Sequence, residues 1–385
     1  MLELHEPEHA FEQVEEWLRG QGFFAPGGEH LVADLYLGYG LSSRIRRTRS
    51  SPPPEPCRLP LLACAVRSDR HTDARYDNRS DIRVGSWRRT WSDADYRDAV
   101  HAVRRAIGRG DVYQVNLVQH LAAPFAGPAS ALAARLTPLT RSNTSLPAGT
   151  AWRLLEGSGW SIVTASPELF LARRGQRLWT RPIKGTRPRG RRAELLASEK
   201  DAAEHVMIVD LERNDLSRVC RHGTVRWPEL RVAATLAGVE HLVSTVEGEL
   251  RPDVGLAEIL AATFPGGSIT GAPKIAAVDL IAGLEPVGRG ASMGALGRVY
   301  GNGDFDLALT IRTFAIADGR LHLWVGGGVV WDSDPQAEVD ESLAKAHPLL
   351  DAIGAPLARG APEGKPARAG QGRTRERSSS TRGRR

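Results

Sequence analysis

Runs of strand-like segments, broken by a few long helices, predict a layered α+β fold for this chain of 385 residues. Two observations carry that expectation. Strands and helices do not alternate strictly, as a doubly wound parallel sheet would require. No G-x-G-x-x-G follows a strand, which counts against a dinucleotide-binding fold.

The elements follow in order. HAFEQVEEWLRGQ (9–21) spaces its apolar residues as a helix does, and HLVADLYLGYG (30–40) is a strand ending in a glycine turn. SSPPPEPCRLP (50–60) is a loop and PLLACAVR (60–67) a buried strand. WSDADYRDAVHAVRRAIGRGD (91–111) is a helix with a serine N-cap and a terminating glycine. Strands are expected at VYQVNLVQH, WSIVTA, ELFLARR and RLWTRPI, and one long helical stretch over 192–220. Beyond it, VEHLVSTVEGEL, DLALTIRTFAIAD and LHLWVGGGVVW each read as one strand, and PQAEVDESLAKAHPLLDAI as a helix. These signals divide the chain into a weakly patterned lobe at 1–90, a strongly patterned region at 91–354 and a tail at 355–385.

Charge belongs mostly to the tail. The chain holds 51 Lys/Arg and 45 Asp/Glu, a net of +6. Residues 355–385 carry nine of the basic and two of the acidic residues, so the body has 42 against 43. The tail has no aromatic residue and is rich in Gly, Pro, Ser and Arg, the composition of a disordered extension. The basic pI is therefore no argument for a nucleic-acid-binding body. Three cysteines without metal spacing exclude a disulfide framework and give a zinc site no support, which favours a reducing, cytoplasmic setting. No run reaches the ~20 apolar residues of a membrane span, and the acidic N-terminus does not read as a signal peptide.

Several constellations carry possible chemistry. Asp201 and Glu204 lie three apart on a helix and so share a face, and Glu338 and Glu341 repeat the spacing, with Lys345 four further on. Two such helices facing each other would make an oxygen-rich magnesium site; the alternative is solvated helix faces. In TFPGGSITGAPKIAA, glycines flank Ser268 and Thr270 ahead of a helix, offering N–H groups to an anion. Ala272-Pro273 stands where a P-loop needs Lys-Ser/Thr, so a carboxylate fits as well as a phosphate, and a plain glycine-rich connection remains open. The triplet Gly326, Gly327, Gly328 inside a strand points to a bulge or to close approach of a ligand. Arg312 in an apolar strand needs an anion, from a ligand or from an internal acid. Glu168, beside apolar residues, is a candidate general acid, and His241 either a core histidine or a proton-transfer group. Lys184, in RPIKGTRPRG, is either a salt-bridged structural lysine or a desolvated nucleophile.

Taken together, GDVYQVNL, SPELF, PIKGTRPRG, AEHVMIVDLERNDLSRV, HLVSTVEG, FPGGSITGAPKIAA, DLALTIRT and GGGVVWDSDPQAEVDESLAKA resemble the chorismate-utilising enzymes over about residues 92–354. The resemblance implies a layered sandwich of twisted, mainly antiparallel sheets flanked by helices. Within that family, PIKGT is similar to aminodeoxychorismate synthases, whereas anthranilate synthases carry a small alanine in place of the lysine. It implies that Lys184 attacks ring carbon 2 of chorismate, that Glu168 protonates the departing 4-hydroxyl, and that ammonia then displaces the lysine at carbon 4. The product would be 4-amino-4-deoxychorismate, a precursor of p-aminobenzoate. By the same resemblance Glu204 and Glu341 are direct Mg2+ ligands, and Asp201 and Glu338 act through water. Gln114, Gly185, Thr186, Thr270, Gly271, Arg312, the glycine triplet and Lys345 line the substrate site. Gln114 replaces the lysine that activates water in isochorismate and salicylate synthases, which favours ammonia as nucleophile. His241 matches a histidine tied to pyruvate elimination in anthranilate synthases. Gly297-Arg298 departs from the family's Gly-Tyr.

No Cys-His-Glu glutaminase set is found, so the expected partner is a separate glutamine amidotransferase subunit. The alternatives are an anthranilate synthase component and, outside enzymes, a silent scaffold or a nucleic-acid binder acting through the tail.

Overall fold

In a computed structural model, the described residues are 1–48, 51–68, 76, 79–140, 153–236 and 239–358. Of the expected tail, all but residues 355–358 therefore lies outside them.

The chain opens with β1 (Leu2–Leu4), α1 (Ala10–Gly20), β2 (Leu31–Leu37) and β3 (Leu62–Ser68). After the short β4 (Arg83–Val84) and β5 (Arg88–Arg89) come α2 (Asp93–Gly108), β6 (Gln114–Ala126) and α3 (Ala129–Leu136). Five strands follow: β7 (Leu154–Gly157), β8 (Trp160–Thr164), β9 (Leu169–Arg174), β10 (Arg177–Arg181) and β11 (Ile183–Pro188). Helices α4 (Arg192–Ala197) and α5 (Glu199–Ser217) lead to β12 (Arg226–Leu236) and β13 (Val239–Glu249). Next are α6 (Leu256–Thr263), β14 (Gly271–Ala272), α7 (Lys274–Leu284), β15 (Ala295–Tyr300) and β16 (Phe305–Leu309). The chain closes with β17 (Thr313–Ala317), β18 (Arg320–Val329) and α8 (Pro335–Ala352).

The strands form two sheets, and every pairing among the described residues is antiparallel. The ten-stranded sheet runs β1-β3-β2-β15-β16-β9-β10-β13-β11, with β12 on β13. The eight-stranded sheet runs β14-β6-β18-β17-β8-β7, with β4 and β5 on β6. One core joins both, and the ring of Tyr36 on β2 meets Trp160 on β8. A second core lies where α3 and α8 bring Leu132, Leu136, Leu349 and Leu350 against Leu121, Phe314 and Leu323 of the smaller sheet. This is the layered, antiparallel α+β sandwich the sequence led us to expect. The N-terminal lobe is continuous with the rest, because β2 pairs with β15 and carries β1 and β3 into the larger sheet. Among the described residues no helix is long and apolar enough to cross a membrane, and the three cysteines are buried and free.

Local chemistry explains most boundaries. Ser92 caps α2 in a capping box: its Oγ accepts Asp95 N–H at 3.0 Å, and Asp95 accepts Ser92 N–H in return. The helix expected over 192–220 is two helices, because Ser198 leaves the helical backbone to cap α5, its Oγ accepting Asp201 N–H at 3.2 Å. Strand β12 gave no clear periodic signal, since two register shifts break its pairing with β13. DLALTIRTFAIAD is two strands in different sheets, with Arg312 in the left-handed region at φ 50° between them.

Candidate active site

Five elements bring most of the expected residues together: β6, β11, α5, the end of β18 and α8. The turn at Gly185, φ 64°, starts the arrangement. A Cβ there would lie 2.7 Å from Leu195 Cδ1, so only glycine lets β11 bend against α4 and α5. The bend lies beside Lys184, whose side chain is only 11% exposed and whose Nζ stands 2.7 Å from Glu204 Oε1. Gln114 Nε2 donates to the same oxygen at 2.9 Å. Gln114 is buried, and its Oε1 makes no hydrogen bond among the described residues. Burial works to raise the proton affinity of Glu204, but Lys184, Lys345 and Gln114 outweigh it and hold this carboxyl below its usual range.

Glu168 lies at the neighbouring strand end. Its Oε1 accepts the Ser268 hydroxyl at 2.7 Å and the Ile183 N–H at 3.3 Å, one residue before Lys184. Burial raises its proton affinity above the ordinary carboxylate range despite these donors and the charges of Lys184 and Arg312. The Arg312 guanidinium makes no hydrogen bond among the described residues; Glu168 is the acid nearest its charge, while burial weakens its own hold on a proton. A left-handed arginine between two sheets stores roughly 1–3 kcal/mol of strain, which marks functional positions. Glu168 thus acts on the Arg312 charge without a hydrogen bond between the two side chains.

His241 sits within β13, and its Nδ1 is 3.0 Å from the Gly185 carbonyl oxygen. Burial pushes its pKa down to about 4, so the ring is neutral at pH 7, and Nδ1 must be the protonated nitrogen that donates to the carbonyl.

The glycine triplet is not a bulge. Gly326, Gly327 and Gly328 pair in regular register with Val118, Leu117 and Asn116. What they supply is room for side chains. A Cβ on Gly328 would lie 2.2 Å from Gln114 Nε2 and 2.9 Å from Glu204 Oε1. One on Gly327 would stand 3.3 Å from Glu338, 3.4 Å from Glu341 and 3.4 Å from Lys345 Nζ. Lys345 pairs with Glu341 at 2.8 Å and donates to Gly326 O at 2.9 Å.

Three of the four expected metal ligands, Glu204, Glu338 and Glu341, converge on these two glycines from α5 and α8, while Asp201 lies beside Gly185, and the four do not form one cluster. Glu204 holds Lys184, Glu341 holds Lys345, and Asp201 pairs with Arg187 at 2.8 Å. Among the described residues no three His, Cys, Asp or Glu side chains are arranged to hold an ion. The donors still fit a hard divalent cation: they are carboxylates only, around backbone without side chains, and their charge is met by ammonium groups.

The glycine-rich loop spends much of its hydrogen bonding internally. Gly267 N–H goes to Glu212 at 2.9 Å, Thr270 N–H to Gly267 O at 3.2 Å, and Thr270 Oγ1 to Gly266 O at 2.9 Å. Gly271 pairs with Val115 of β6, so Thr270 and Gly271 tie the loop beside Gln114 rather than turning side chains outward. The side chain of Thr186 lies outside the described residues; its backbone pairs with His241. Arg298 pairs with Asp34 at 3.2 Å. Sequence reasoning missed Ser268 as the partner of Glu168, Arg187 as the partner of Asp201, and the buried Glu212 and His205 on α5. Only Ser268 had a signal, its place among the loop glycines.

Residues 6–351 match the family described as chorismate binding enzyme. Anthranilate synthase component 1 of Streptomyces coelicolor is 41% identical over 276 residues, 69% of this chain and 53% of that protein. Aminodeoxychorismate synthase component 1 of Klebsiella aerogenes is 40% identical over 275 residues, 69% of this chain and 59% of that protein. The chain thus spans between half and three fifths of the length of these relatives. The crystal structure of anthranilate synthase component I from Streptococcus pneumoniae shares the fold with a TM-score of 0.70 and 27% identity, over 82% of this chain and 80% of that one. A match that covers almost all of the folded body, joined to relatives near 40% identity, places this chain in the chorismate binding enzyme family.

Proposed function

We propose that this chain acts as an aminodeoxychorismate synthase component I, converting chorismate and ammonia to 4-amino-4-deoxychorismate, with the ammonia supplied by a separate glutamine amidotransferase subunit. The observation that carries this reading is Lys184, a nearly buried amine one residue from the N–H that holds the Glu168 carboxyl. The relatives named component 1 support a second, ammonia-supplying component.

Lys184 Nζ attacks ring carbon 2 with its lone pair, both double bonds of the ring diene shift toward carbon 4, and the bond from carbon 4 to its hydroxyl breaks. Glu168, whose hold on a proton burial strengthens, gives its proton to that hydroxyl, which leaves as water. Ammonia then bonds to carbon 4, both double bonds shift back, the bond between carbon 2 and Nζ breaks to release the lysine, and the extra proton of the new amine returns to Glu168. The unpartnered Gln114 Oε1 is an acceptor suited to an ammonia N–H, and the amide is no base that could take a proton from water. Arg312 and Lys345 supply positive charge for the substrate carboxylates. Glu204 and Glu341, with Asp201 and Glu338 beside them, would hold Mg2+, which when bound supplies charge for a substrate carboxylate.

Anthranilate synthase is the second reading, since relatives of that name are equally similar. The test is incubation with chorismate, magnesium and ammonium, with products and intact protein mass read by mass spectrometry beside Lys184→Ala. Aminodeoxychorismate, with an adduct on the wild-type chain alone, supports the proposal. Anthranilate as the main product would refute it.

A further inference from the structure

Glu212 is a carboxyl that the reaction above does not use. It lies on α5 and is only 3% exposed, and its Oε1 accepts the Gly267 N–H at 2.9 Å. The next residue, Ser268, donates its hydroxyl to Glu168 Oε1 at 2.7 Å. Two hydrogen bonds and one peptide unit therefore connect α5 to the carboxyl proposed as proton donor. The rest of the loop is held by other groups: Arg289 donates to Ile269 O, Thr270 to Gly266 O, and Lys274 pairs with Asp215. Of these side chains Thr270 alone touches the neighbouring peptide, its Oγ1 standing 3.3 Å from the Gly267 carbonyl oxygen, and none of them takes the Gly267 N–H that Glu212 holds. A carboxyl this buried loses its hydration, so it is costly unless its hydrogen bond serves a purpose.

We propose that Glu212 is a positioning residue, which fixes the Gly266–Gly267 peptide by its N–H and so, through the adjoining Ser268 hydroxyl, sets the orientation of Glu168. The proposal rests on the reading of Glu168 as the proton donor. The charged groups around Glu212 are Asp215 on its own helix, Lys274 at the start of α7, and Glu168 across the loop. Burial, helped by Asp215 and opposed by Lys274, pushes its pKa up to about 7. Either protonation state leaves one oxygen free to accept the Gly267 N–H, so an amide in its place keeps the contact.

The experiment compares wild type, Glu212→Gln and Glu212→Leu by crystal structure and by steady-state kinetics with chorismate. In Glu212→Leu the Ser268–Glu168 hydrogen bond is lost, and kcat falls about 10-fold while KM for chorismate changes less than about 2-fold. Glu212→Gln keeps both. The inference is overturned if the leucine variant retains the hydrogen bond and kcat, if the glutamine variant loses as much as the leucine variant, or if KM rises as far as kcat falls. Should the leucine variant not fold, Glu212→Ala takes its place. A wild-type chain without chorismate turnover would defeat the functional reading, and the crystal comparison would still decide whether Glu212 sets the place of Ser268.

Discussion

Lys184 Nζ and Glu204 Oε1 stand 2.7 Å apart, joining β11 to α5 through an oxygen that also accepts the Gln114 amide. One carboxylate oxygen thus serves the proposed nucleophile, the neighbouring amide and an expected metal position. A cation that takes Glu204 as a ligand has to share it with the lysine.

Magnesium binding should therefore depend on the two α5 and α8 glutamates that hold lysines. Glu204→Gln and Glu341→Gln should each weaken Mg2+ binding at least about 10-fold by titration calorimetry, the effect known even for partners behind a metal ligand. Unchanged affinity in both would remove these residues from the metal site.

Glu168→Gln should lower kcat by roughly 100-fold or more, the usual contribution of a general acid. Because the folded chain raises its proton affinity, the wild-type kcat should fall on the alkaline side at a pH above the ordinary carboxylate range. The sign for stability is the same. A raised carboxyl contributes stability that is full below its unfolded pKa and is lost as pH rises through the folded value. Thermal melts should show Glu168→Gln gaining on wild type between pH 5 and pH 8, and an equal difference at both would count against the buried acid.

The three glycines of β18 should separate activity from stability. A Cβ on Gly328 strikes Gln114 and Glu204, whereas one on Gly326 strikes the Leu117 carbonyl oxygen at 1.9 Å. Gly328→Ala should abolish turnover with a small loss of stability, and Gly326→Ala should cost several kcal/mol of stability, roughly that of an overpacked core site, by weakening the β6 ladder. Gly327→Ala, with its nearest contacts at 3.3–3.4 Å from flexible side-chain ends, should be the mildest. Denaturant melts and kinetics on the three variants check the order.

Acid should destabilise the chain earlier than its carboxylates alone would. Burial lowers the pKa of His120 to about 3 and of His205, His241 and His322 to about 4. A histidine depressed in this way contributes stability that is present above its unfolded pKa near 6.5 and is lost as pH falls toward the folded value. Each loses about 2 kcal/mol of stability by pH 5 on that account. His120 and His322 face each other at 3.0 Å and cannot both be charged, so His322→Gln should be relatively more stable than wild type at pH 5 than at pH 7. A constant difference in unfolding free energy across that range would refute the account.

Much of the fold was legible because periodicity and caps are local. Helix α1, Ser92 at the head of α2, and the strands at β2, β3, β8, β9 and β13 follow from spacing and turn residues that need no distant partner. Arg312 shows where such reasoning stops. Its segment is apolar enough to continue as one strand, but β16 and β17 belong to opposite sheets, and only the second sheet explains the left-handed residue between them. Glu212 reads as an ordinary helix charge until the loop that covers it is known.

The sequence by itself determined the α+β class, the order of motifs and the chemical types at the site: a lysine before a glycine bend, paired carboxylates, an amide and a glycine-rich strand. Those depend on neighbours a few residues away. The tertiary structure alone decided which carboxylate each cation holds, that Glu168 shares Oε1 between Ser268 and Ile183, and that Arg298 pairs with Asp34. Hydrogen bonds and ion pairs act over about 3 Å, so partners such as Ser268 and Glu168, a hundred positions apart in the chain, are chosen only when the two sheets and α5 close around them.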